Sequence, residues 1–209
     1  IEKIKFVLAM IIFGAVGVFA KRIDLSSGEI ALCLSFIGAL SLLVFIAWSK
    51  RKISWRSVKR NAAALLVGSF ALSCNWIFLF QAFKETTIAN AALSYYFAPV
   101  LVMMLSPVVL KEKLSINKVV CIGIALAGLY LIVHNAAAET AGRHLLGIGY
   151  GLIAAGFYAG LTLANKVIRN LDGLAKTLLQ FGLSVVILFP YVLIAEGLPL
   201  VSVTESSIM

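Results

Sequence analysis

The stretch Thr86–Ser115, TTIANAALSYYFAPVLVMMLSPVVLKEKLS, decides the fold class. Ile88 to Leu110 runs 23 residues without a charge, enough for a helix to cross the roughly 30 Å hydrocarbon core of a bilayer. The run opens on small and polar residues and stops at Lys111-Glu112-Lys113, a cluster that belongs at a water interface. Pro99 and Pro107 sit inside it as expected helix kinks. Each proline removes an N–H and loosens the backbone, a defect tolerated where neighbouring helices satisfy the freed carbonyls. A kinked helix rich in small residues suits the lining of a path better than the anchoring of a domain.

The rest of the chain extends this reading. Of its 209 residues 62% are hydrophobic and 13% charged, against about 25% charged in a soluble domain. The apolar runs divide into seven expected spans, at about 4–20, 28–48, 62–83, 88–110, 116–134, 145–165 and 174–195. The chain is therefore expected to be an all-α polytopic membrane protein. Lys3, Lys5, the apolar run to Phe19 and Val18-Phe19-Ala20 imitate a signal peptide. A counterpart of the same segment later in the chain argues against that. Cys33, Cys74 and Cys121 each fall within a span, lack C-x-x-C spacing and are read as small packing residues.

The net charge of +9 does not point to nucleic acid, because the basic residues collect in short loops between spans. With the N-terminus inside, fourteen of the eighteen lysines and arginines lie inside. They are Lys3 and Lys5; Lys50, Arg51, Lys52, Arg56, Lys59 and Arg60; Lys111, Lys113 and Lys118; and Lys166, Arg169 and Lys176. Only Lys21, Arg22, Lys84 and Arg143 lie outside. That split predicts a cytoplasmic N-terminus in a plasma membrane.

An internal repeat appears at an offset of 145 residues. Lys21 aligns with Lys166, Ile23 with Ile168, Gly28 with Gly173, Leu34 with Leu179, Phe36 with Phe181 and Leu43 with Leu188. Five spans separate the copies, and an odd number inserts the second copy upside down, an arrangement common in secondary transporters. The expected division is a first repeat of five spans over 1–140 and the opening of a second over 145–209, with two spans. A complete second copy would hold five, so three more are expected beyond Met209.

Thr86-Thr87 followed by Ala89, Ala91 and Ala92, then Pro99, then Lys111-Glu112-Lys113-Leu114, then Gly123 and Gly128, resembles the EamA-type repeat of the drug/metabolite transporter superfamily. The resemblance implies two inverted five-helix repeats, with both termini in the cytoplasm of a bacterial inner membrane. One departure stands out: many such proteins carry an Arg in the second helix, where this chain has Leu34.

Chemistry-bearing residues are few. Every Asp and Glu falls at or beyond a span end, which argues against an intramembrane enzyme needing paired carboxylates or a nucleophile–base pair. His134 and His144 are ten residues apart and read as interfacial rather than as a metal site. No cofactor or metal is expected. Neutral polar residues are the candidates for a solute cavity: Asn75 and Gln81 on the third span; Asn90, Ser94 and Tyr95 on the fourth; Tyr158, Thr162 and Asn165 on the sixth. Tyr95, Tyr158 and Asn165 are expected to face one interior cavity. Gly147, Gly151, Gly156 and Gly160, with Ala154, add small residues to the sixth span, and for these glycines helix packing is the favoured role. Lys21 and Lys166 occupy matching repeat positions, where snorkelling to headgroups competes with attraction of an anionic solute.

The reading that follows is a transporter of small organic solutes working by alternating access. Its partners are the bilayer, a solute and, as an option, a second copy of the chain. The alternative is a non-transporting membrane subunit, or an inactive partial module that needs a partner chain. Three further spans downstream would favour the transporter, and a stop at Met209 the subunit.

Overall fold

In the computed structural model, residues 16–49, 53–111, 115–139 and 143–195 are described, and among them every regular element is a helix. Helix α1 is described over 16–22. It is followed by α2 (Ser27–Trp48), α3 (Trp55–Arg60), α4 (Ala62–Glu85), α5 (Ile88–Tyr95), α6 (Ala98–Leu110), α7 (Ile116–Glu139), α8 (Arg143–Val167) and α9 (Gly173–Ala195). Helices α2, α4 and α9, the segment Ile88–Leu110 and the stretch His144–Val167 of α8 are long and apolar enough to cross a membrane. A shorter apolar stretch, Ile116–Leu131, lies in α7. Of the first expected span only residues 16–20 fall in the described part.

Local chemistry sets the helix ends. Before α2, Ser26 and Glu29 form a reciprocal capping box: the Glu29 N–H donates to Ser26 Oγ at 3.0 Å, and the Ser26 N–H to Glu29 Oε2 at 2.6 Å. Thr87 caps α5 by accepting from the Asn90 N–H at 3.1 Å. The fourth span is two helices, broken by a turn at Tyr96–Phe97. Pro99 lies in the first turn of α6, where its missing N–H would be unpaired in any case. Pro107 sits inside α6. Lys111 ends α6 in the left-handed conformation at φ 55°. Asn170 does the same between α8 and α9 at φ 57°, and Asn tolerates that region better than most residues.

Helix α4 is the centre of the bundle. It makes the broadest contact, with α8, and also packs on α9 and α2. Helices α2 and α9, which the 145-residue offset equates, pack on each other, while α5 and α6 lean on α8. Helix α7 touches α6 and α8 only lightly. Three bonds fix α4 and α8 as an antiparallel pair. Asn61, just before α4, meets Arg169 just after α8; Asn75 meets Ala154 midway; Thr86, just after α4, meets His144 at the start of α8. Apolar burial cannot drive helices together inside lipid, so close approach and interhelical hydrogen bonds carry the packing. Both occur here. A Cβ on Gly147 would lie 2.5 Å from Thr86 Cβ, and one on Gly38 2.4 Å from the Phe181 ring. Ser184 Oγ of α9 donates to Ser69 O of α4 at 3.1 Å.

Candidate solute-binding site

Polar side chains gather at three levels along the α4–α8 pair. Midway, Asn75 is fully buried, and its Nδ2 donates to Ala154 O at 2.8 Å. The Tyr95 side chain lies beside it, and Asn75 Oδ1 makes no close hydrogen bond among the described residues. Tyr95 is buried and meets Tyr158 edge to face, with ring centroids 5.6 Å apart. Ser94, also buried, donates to Asn90 O at 2.8 Å and Ala91 O at 3.0 Å, and packs on Gly151. The break at Tyr96–Phe97 follows immediately. A buried amide, two phenol rings and an interrupted helix thus share one level.

At the end carrying Thr86, Lys21 Nζ donates to Thr86 O at 2.9 Å, and Thr86 Oγ1 pairs with His144 Nδ1 at 2.9 Å. Nearby, Ser27 Oγ donates to Gln81 Oε1 at 2.8 Å, and Gln81 Nε2 donates to Glu85 Oε1 at 3.0 Å. Lys84 Nζ donates to Leu25 O. Toward the opposite end, the buried Gln180 of α9 donates to Asn165 Oδ1 at 2.9 Å and lies over Gly68. Thr162 donates back to Tyr158 O at 2.8 Å within α8.

The candidates therefore divide. Asn75, Tyr95, Tyr158 and Ser94 come together, with Asn90 one turn before Ser94. Asn165, seven residues beyond Tyr158, is about 10 Å along α8 and belongs to the Gln180 cluster. Gln81 and Lys21 sit at the Thr86 end. Lys166 lies in the last turn of α8, near the other end. Gly147 and Gly151 are close-approach points, whereas a Cβ on Gly156 or Gly160 would meet nothing within 4 Å among the described residues. His134 stacks on Tyr130, and His144 pairs with Thr86. Leu34 lines an apolar groove of about 300 Å³ between the 16–23 segment and α2.

Gln180, Ser184 and Asn61 are not among the residues expected from the sequence, and Thr86 enters there only as part of the family resemblance. A signal existed for the first two: Gln180 and Ser184 are polar interruptions one turn apart in the apolar run LLQFGLSVVILF. Asn61 and Thr86 lie at span ends, where polar residues are ordinary.

Residues 3–134 match the EamA-like transporter family. The chain is similar to the uncharacterized transporter YxxF of Bacillus subtilis (strain 168), 37% identical over 195 residues that cover 90% of this chain and 61% of that protein. It is 29% identical over 191 residues to an uncharacterized transporter of Archaeoglobus fulgidus, covering 90% of this chain and 64% of the relative. YojE of Bacillus subtilis, another uncharacterized transporter, is 31% identical over 124 residues, covering 56% of this chain and 41% of that protein. The chain thus spans less than two thirds of the length of these relatives. No solved structure matches.

Proposed function

We propose, from the premise that the chain belongs to the EamA-like transporter family, that it moves small organic solutes by alternating access around the Asn75–Tyr95–Tyr158 level. The observation that carries this is the break between α5 and α6, one residue beyond Tyr95. The turn stays right-handed and hydrogen-bonded, but Pro99 brings no N–H to the ladder, and backbone freed in this way at membrane depth is tolerated only where protein or a water-filled cavity surrounds it. Here it adjoins two tyrosines and an amide. Residues 145–209 are read as the opening of the second, inverted repeat, and α2 packing on α9 supports that equivalence. The proposed location is a bacterial inner membrane.

Orientation is tested by labelling. Single cysteines at Ser57 and Ala138, with the three native cysteines removed, are expected to react from opposite sides, Ser57 from the cytoplasm. Reaction of both from one side sinks the seven-span arrangement.

The solute site is tested by transport. Tyr95→Phe and Tyr158→Phe keep the ring contact and remove one hydroxyl each. A lost hydrogen bond costs about 1 kcal/mol, or roughly fivefold in apparent solute affinity. Counterflow in proteoliposomes across a panel of neutral, zwitterionic and charged solutes reads this directly. Unchanged transport at equal expression in both variants leaves the tyrosines as packing residues. No transport of any solute by the parent chain favours the subunit alternative.

A further inference from the structure

The end of the bundle opposite Thr86 carries a basic surface, apart from the Asn75–Tyr95–Tyr158 level. Helix α3 reads WRSVKR and lies between the end of α2 at Trp48 and the start of α4 at Ala62. Two membrane spans flank it within a few residues, so it lies at the membrane–water boundary. Trp48 and Trp55 are 84% and 67% exposed, and exposed indoles at that depth belong among lipid headgroups.

The second part of this surface comes from far along the chain. Asn61, the C-cap of α3, is buried and grips the backbone of Arg169 twice. Its Nδ2 donates to Arg169 O at 2.9 Å, and the Arg169 N–H donates to Asn61 Oδ1 at 3.3 Å. The same Nδ2 also donates to Ser57 O at 2.8 Å, which ties the grip to α3 itself. One amide thus holds the α8–α9 turn beside the last turn of α3, where Lys59 and Arg60 stand. Arg56, Lys59, Arg60 and Arg169 are exposed, and their side chains make no ion pair or hydrogen bond among the described residues. Asp172 is the acid of this end among the described residues, and it is already engaged.

We propose that α3 and the α8–α9 turn form one binding site for the phosphate of an anionic phospholipid headgroup, assembled by Asn61. The guanidinium forks of Arg56, Arg60 and Arg169 suit phosphate oxygens, Lys59 adds charge, and the exposed indoles favour a lipid over a soluble anion. The site does not depend on the transport reading.

The test uses the full chain in phosphatidylcholine nanodiscs with and without phosphatidylglycerol, and native mass spectrometry to read retained lipid. The parent is expected to retain phosphatidylglycerol over phosphatidylcholine. Each cation near an anionic surface is worth about fivefold in affinity. The variant Arg56→Gln/Lys59→Gln/Arg60→Gln is therefore expected to lose roughly a hundredfold. Asn61→Ala keeps every charge yet is expected to lose about fivefold, because Arg169 is released from α3. Arg169→Gln leaves the backbone grip intact and is expected to lose the same. Equal retention of the two lipids by the parent overturns the proposal, and so does full preference in Arg169→Gln. Loss in the triple variant with full preference in Asn61→Ala reduces the surface to diffuse charge. Displacement of the lipid by equimolar inorganic phosphate reassigns the site to a soluble anion.

Discussion

Gly147→Ala is expected to destabilise the bundle by about 1–3 kcal/mol, the usual cost of overpacking a well-packed position. The new methyl would lie 2.5 Å from Thr86 Cβ, 2.6 Å from Thr86 Cγ2 and 2.9 Å from the Thr86 backbone nitrogen. Thr86 has no room to retreat. Its N–H donates to Ala82 O at 3.0 Å, its carbonyl accepts from Lys21 and its hydroxyl pairs with His144. Relief must come from parting α8 and the end of α4, which also opens the Lys21 and His144 contacts. Gly151→Ala meets a softer obstacle, Ser94 Oγ at 2.1 Å, with Ser94 Cβ at 3.1 Å and Ala91 O at 3.3 Å behind it. A smaller loss is expected there, and Ser94→Ala in the same chain should restore part of it, a coupling that a double-mutant cycle reads. Gly156→Ala and Gly160→Ala meet no described atom within 4 Å. They should be neutral or stabilising by up to about 1 kcal/mol, the helix-propensity gain of Ala over Gly. Melting of the detergent-solubilised chain checks the series. A Gly147→Ala variant that melts with the Gly156→Ala variant refutes the close approach.

That series also marks where the sequence was informative. Span existence was legible because the bilayer imposes one length and one composition, and α2, α4 and α9 begin and end within two residues of the expected limits. Gly147 and Gly151 were legible as packing glycines, but Gly156 and Gly160 have the same spacing type and meet no neighbour among the described residues. Spacing marks a small-residue face, not how much of it is covered. Pro99 shows a second limit. A proline starting a helix and a proline inside one are identical in sequence, and here a tight, still right-handed turn at Tyr96–Phe97 puts Pro99 in the first turn of α6. Helix α3 has six residues, too few for any period to register. The interhelical bonds were the least legible part. Asn61 to Arg169, Thr86 to His144 and Ser184 to Ser69 join residues 108, 58 and 115 positions apart. Nothing local to either partner identifies the other.

Asn75 gives the largest effect expected from an isosteric change. Asn75→Asp preserves size and shape but replaces the Nδ2 donor, 2.8 Å from Ala154 O, with an oxygen. An acceptor then faces an acceptor at a fully buried position, and no lysine or arginine of α4 or α8 lies near mid-span. A carboxylate at the centre of a membrane helix costs about 2.5–3.5 kcal/mol, so the folding equilibrium constant should fall by roughly a hundredfold. Asn75→Leu removes both polar ends at similar volume. The Ala154 carbonyl lies in mid-helix, where it keeps its place in the α8 ladder, so the losses are the interhelical bond and the polar neighbour of Tyr95. Such bonds average about 0.6 kcal/mol within membranes, and Asn75→Leu should stay close to the parent. Asn75→Ala adds a cavity to that loss and should fall between the two. Monodispersity on size exclusion and thermal melting read the order Leu, Ala, Asp. The opposite result is equally specific. An Asp variant as stable as the Leu variant means that water already fills the Asn75 level in the solubilised chain, rather than entering it only when the solute path opens.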